Sequence, residues 1–198
     1  MTEPEVYALA VRAMSGVLAQ VRDDQWNMEL PATFARRDAS TTPTLREIVN
    51  YHAYNDAWVP DMLAGKTMEE AGIDNFKGDL LGDNPAASYA AIAETATAAA
   101  LAVDDLERTV HCSFGDFKAR EYLWQANYFA GIRAHDIARV VGAELTMPAD
   151  LVQGLWDELS PQAEGWRVMG VFPPEVPVPA DAPLLDRLLG LTGRDPTA

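Results

Sequence analysis

Four long stretches of this chain place apolar residues at three- and four-residue steps, and in a helix of 3.6 residues per turn that spacing draws one continuous stripe. The first runs from Val6 through Ala10, Met14 and Val17 to Val21. The second opens on Thr44 followed by Glu47, a capping box in which hydroxyl and carboxylate satisfy backbone donors of the first turn, and extends to Gly65. Pro60 lies inside it, depriving the Asp56 carbonyl of its helical partner and predicting a kink. The third begins with Asn84 and Pro85, a cap and a first-turn proline, and carries Tyr89, Ile92, Ala96, Ala100 and Leu106. The fourth carries Tyr122, Ala126, Phe129, Arg133, Ile137 and Val140 and stops near Gly142. Such stripes must bury against one another. They predict an all-α fold, an up-down-up-down four-helix bundle with antiparallel neighbours and no substantial sheet.

Around that frame, a shorter helix is expected from Pro148 through Leu151, Leu155 and Leu159, a long connection over 25–42, and an extended link from Val110 to Gly115. Between Pro173 and Pro183 lie five of the chain's 13 prolines, which favour an extended segment. Because Phe172, Val176 and Val178 lead into Leu184, Leu185, Leu188 and Leu189, residues 172–198 are expected to form a strap packed on the bundle, within one domain spanning 1–198.

The 15 Lys and Arg against 30 Asp and Glu give a formal charge of -15, a field that repels phosphate backbones and anionic lipid, so neither nucleic acid nor membrane is an expected partner. No apolar run reaches the roughly 20 residues that span a bilayer, and no signal core opens the chain, so a cytoplasmic location is expected. Cys112 is the single cysteine, which excludes an internal disulfide and leaves any metal site to His and carboxylates.

Three segments, TLREIVNYHAYNDAWVPDMLAG at 44–65, RAHDIARVVG at 133–142 and APLLDRLLGLTGRDP at 182–196, taken together in order, resemble the metal-binding-domain group of the mycothiol-dependent maleylpyruvate isomerases of actinobacterial type, within the DinB-like superfamily. The resemblance implies a four-helix bundle with a divalent metal, zinc among the candidates, at one end. It is held by a His of the second helix and by a Glu or His and then a His four residues later in the fourth. Several such proteins are thiol-dependent isomerases or transferases. In this chain the implied ligand positions fall on Tyr51, Phe129 and Arg133. Phe cannot coordinate, and a permanently protonated Arg repels cations, so the resemblance implies a degenerate site and no metal ligand is assigned.

Among individual residues, His52 shares a face with Ile48 and Val59 and is read either as a core histidine or as a shifted ligand. His135 is expected to point away from the core stripe, and His111 to sit exposed in a link. Cys112 is read as inert, with nucleophilic use needing a base and an electropositive setting. Arg133 interrupts an apolar stripe and needs an acceptor: an internal carboxylate such as Asp56 or, with Tyr51, the carboxylate of a small acid. The candidate ligand-binding set is therefore Tyr51, His52, Asp56 and Arg133, with catalytic residues and cofactor unassigned. The expected function is that of a divergent family member binding a small ligand, of anionic type or a thiol, at the former metal end. One alternative is a metal- and thiol-dependent isomerase or transferase with a shifted ligand set. Another is a non-catalytic homodimer anchored by Trp124, Tyr128 and Trp156.

Overall fold

The Thr44 hydroxyl accepts the Glu47 amide at 3.2 Å while the Glu47 carboxylate takes the Thr44 amide at 2.8 Å, and helix α2 (Leu45–Leu63) starts on this reciprocal cap and continues through Pro60. A computed structural model of the chain describes residues 1–34 and 41–197. Helix α1 spans Glu3–Leu18, and a single helical turn, α3 (Met68–Ala71), follows α2. Helix α4 (Pro85–Leu101) is capped by Asn84, whose side chain accepts the Ala87 amide at 3.3 Å. Helix α5 (Ala119–Val141) ends at Gly142, whose φ of 70° is the left-handed conformation a glycine adopts without a Cβ clash. Three shorter helices follow, α6 (Ala149–Leu159), α7 (Ala163–Val168) and α8 (Leu184–Leu191).

The fold is mostly helical, as the apolar stripes predict. The expected link at 110–115 is instead a small antiparallel hairpin, β1 (Thr109–Cys112) paired with β2 (Gly115–Lys118), with Val110 opposite Phe117 and His111 opposite Asp116. Val110 is fully buried and anchors the hairpin to the bundle.

The expected up-down-up-down order is corrected to up-down-down-up. Asn127 in α5 donates to the Glu3 carbonyl at the start of α1, and Gln20 beyond α1 bonds Glu144 beyond α5, so these two helices run in the same direction. Helix α2 runs against α1, with Tyr7 near the start of α1 reaching Asp56 in the second half of α2. The reason α4 does not simply turn back along α2 lies in the connection. Asn50 donates to the Gly78 carbonyl at 2.9 Å and accepts the Leu80 amide at 2.8 Å, and Arg46 bonds the Gly82 carbonyl at 2.7 Å. The chain is thereby led back to the start of α2 before α4 begins, and α4 lies parallel to it.

The core gathers Tyr7, Met14, Leu45, Leu123, Ile132, Ile137 and Leu155, all fully buried. A Cβ on Gly154 of α6 would stand 2.5 Å from Val6 of α1, so the missing side chain is what lets α6 lie against α1. Residues 172–197 fold back on the bundle. Phe172 packs against Tyr128 and Trp166 at ring separations of 4.9 and 5.3 Å, Val176 donates to the Gly190 carbonyl at 3.0 Å, and Arg194 bonds Asp136.

One carboxylate is buried in this packing. Both Glu158 oxygens lie 2.9 Å from the Asn127 amide nitrogen, and burial, reinforced by Glu3 and Asp157, pushes its carboxyl up to about 8. An acid whose pKa is higher folded than unfolded binds more protons in the native state, so its contribution is full below about 4.5 and is lost as pH rises towards 8. Replacing Glu158 by Gln is expected to remove that decline, worth at most about 1.4 kcal/mol per pH unit. Urea midpoints should show the variant gaining on the native chain between pH 5 and about 8; parallel curves would mean that the carboxyl titrates normally.

Candidate functional site

Helices α2 and α5 meet more loosely than α1 with α5 or α2 with α4, and a cleft of about 750 Å³, its open mouth included, lies between them. Its α2 wall presents Tyr51, His52, Asn55, Asp56 and Trp58, residues that recur at helical spacing along one face. The α5 wall presents Tyr122, Gln125, Ala126, Phe129 and Ala130. The small side chains of Ala126 and Ala130 leave the gap unfilled. Cys112, Ser113 and Phe114, around the hairpin turn, add a third side.

Asp56 is 7% exposed, and its two oxygens accept the hydroxyls of Tyr7 at 2.6 Å and Tyr89 at 2.8 Å. Burial lifts its carboxyl to about 6, against the lowering effect of the two phenols. Both tyrosines are driven well above their ordinary range by burial and by the neighbouring carboxylate. At neutral pH the group is therefore an ionised carboxylate whose hydrogen-bond donors are two neutral phenols. One turn earlier on α2, His52 is buried and brought down to about 3 by desolvation and by the positive charge of Arg133, so it stands as a neutral imidazole. Burial and Asp116 push the Cys112 thiol up to about 11, which keeps it protonated and unreactive as a nucleophile. Among the described residues the buried Trp58 indole nitrogen finds no hydrogen-bond acceptor, and its ring stands nearly perpendicular to Phe76 at 5.1 Å.

Arg133 is mostly covered, but its partner is not Asp56. Its guanidinium lies 3.4 Å from Asp136, one turn along its own helix, and 4.7 Å from the centre of the Phe34 ring. Asp56 is occupied by Tyr7 and Tyr89 from other helices, and the nearer Asp136 captures Arg133 instead. Arg133 does not line the cleft. Of the four residues expected to bind a ligand together, Tyr51, His52 and Asp56 share the cleft and Arg133 stands outside it. His135, expected to face away from the core, is half-buried beside Asp136 and lines a groove with Arg194 and Asp195. His111 meets Asp116 across the hairpin at 2.8 Å.

Tyr7 and Tyr89 were not among the sequence candidates, yet they define the state of Asp56. The available signal was the rule that a buried carboxylate requires donors, applied to polar tips set within apolar helical stripes. Among the described residues no three of His, Cys, Asp and Glu gather closely enough to hold one ion, and His52 with Asp56 supplies two. Of the expected dimer anchors, Tyr128 is buried against Trp166 and Phe172, and Trp156 lies beneath Arg187 at 4.6 Å.

Arg194 joins Asp136 through two nitrogens, at 2.9 and 3.2 Å. Burial acts to raise the Asp136 carboxyl, but the adjoining His135 and the Arg194 and Arg133 cations outweigh it and hold it well below the usual range. A depressed carboxyl stabilises the fold above its unfolded value of about 3.8, and that contribution fades as pH falls further. Arg194→Met should thus lower stability by roughly 2–3 kcal/mol at pH 7, and Arg133→Met by under about 1 kcal/mol because the two-point pair survives. Urea denaturation of both variants checks this ranking, and the reverse order would make Arg133 the principal partner of Asp136.

No family model, curated protein or solved structure matches this chain.

Proposed function

We propose that this chain is a ligand-binding bundle, a divergent relative of the DinB-like maleylpyruvate isomerase metal-binding domains, that takes a small and largely apolar molecule into the α2–α5 cleft. The observation that carries the reading is the composition of the cleft. Aromatic rings, methionines and alanines form most of its walls, and a few polar groups, Asn55, Gln125, Ser113 and the neutral His52, converge on the same space. That is the usual character of a small-molecule site, in which apolar walls supply affinity and sparse polar groups fix orientation. Tyr51 and Phe129, the positions where the resemblance expects metal ligands, both line this cleft, which supports the kinship without a metal. A small acid held by Arg133 is not favoured, since its guanidinium is engaged by Asp136 outside the cleft.

Saturation-transfer NMR with indole and 2-naphthol tests the reading. Both are expected to bind the native chain saturably. Ala126→Trp, which puts a ring into the gap left by a small residue, is expected to abolish that binding and to shift the melting temperature by less than about 3 °C, since the added ring enters open space instead of a filled core. Saturable binding that survives in the variant would move the site elsewhere, and no binding by the native chain would end the proposal.

A further inference from the structure

We propose that the molecule this cleft selects is an organic cation, an amine with an aromatic or aliphatic body, whose ammonium is drawn to Asp56 and to the faces of the surrounding rings. The inference rests on the ligand-binding reading above and names the chemistry of the ligand.

Charge is the first consideration. Among the described residues lining the cleft there is no Lys or Arg. Its histidine is neutral, and its thiol and the Tyr122 phenol are protonated. Among the described residues that line it, the group left charged is Asp56, which is negative. That carboxylate is satisfied in hydrogen bonds but not in charge, since its partners are two neutral phenols. Among the described residues no cation pairs with Asp56, and a buried ion without a counterion retains a large unmet Coulomb interaction, which a cation entering beside it would satisfy.

The walls act in the same sense. Tyr51, Tyr54, Trp58, Phe114, Tyr122 and Phe129 bring six aromatic rings to the space, and the negative faces of such rings attract ammonium groups most strongly where water is excluded. The formal charge of -15 adds a long-range field that concentrates cations and repels anions. A carboxylate ligand is disfavoured on each of these counts.

Three probes of one aromatic skeleton separate the possibilities: phenethylamine as the cation, 2-phenylethanol as the neutral form and phenylacetate as the anion. Isothermal titration of the native chain at pH 7.5 is expected to rank them in that order, with the amine roughly tenfold tighter than the alcohol. Asp56→Asn should equalise amine and alcohol. Among the described residues, the titratable groups around Asp56 are Tyr7 from α1, Tyr89 from α4, Tyr122 from α5, Cys112 from the hairpin and His52 on its own helix. None of these changes charge between pH 5 and 8, so affinity for the amine should fall as pH drops through about 6, while affinity for the alcohol stays level. This pH response and the native ranking carry the test alone if the Asn variant does not fold. Alcohol binding as tight as amine binding, phenylacetate binding tighter than either, or an amine preference that persists in Asp56→Asn would overturn the inference while leaving the cleft a ligand site. Failure of all three probes to bind would overturn both.

Discussion

The carboxylate of Asp56, set between the hydroxyls of Tyr7 and Tyr89, ties three of the four long helices together at one point. Taking an ionised group out of water is among the most unfavourable steps available to a small domain, and it is tolerated only where donors are fixed in place. Those donors come from α1 and α4, so the height at which both helices meet α2 is specified by two hydrogen bonds in an otherwise apolar core. The same group forms part of the cleft wall. Structure and site therefore share an element: whatever holds the helices in register also fixes the electrostatic character of the space beside them.

That character separates this cleft from the site the resemblance leads one to expect. A His and two further ligands in the second and fourth helices would create a positive, metal-centred pocket suited to anionic or thiolate substrates. Here Tyr51 and Phe129 contribute rings, His52 stays neutral, and Arg133 is drawn away by Asp136 to the side where the C-terminal segment docks. Arg133, the most conspicuous polar interruption of an apolar stripe, belongs to the attachment of the last residues and not to the cleft.

Helix positions were legible in the sequence because capping and periodicity are local properties: Thr44 with Glu47, Asn84 with Pro85, and Gly142 mark real helix ends. Helix direction was not, because it is decided by side chains such as Asn50 and Arg46 that capture a connection some thirty residues away. The hairpin at 109–118 escaped for a similar reason, its pairing being stabilised by burial of Val110 against the bundle. Within the site, His52 and Asp56 could be placed inward by spacing alone. Their charge states could not, since these depend first on the depth of burial that the tertiary packing imposes and then on Tyr7, Tyr89 and Arg133 reaching them from other positions in the chain.

The parallel pairing of α1 with α5 also bears on how the chain reaches its native state. Contacts such as Asn127 with Glu3 and Gln20 with Glu144 join residues 124 positions apart, and an encounter over that distance carries a larger loop-closure entropy than the turn of a helical hairpin. During synthesis the apolar stripe of α1 leaves the ribosome long before its main neighbour exists. Until α5 is made, that stripe can be covered only by α2 and α4 or by whatever else in the cell binds exposed apolar helices. The last part of the bundle to be translated is thus the part that encloses the first.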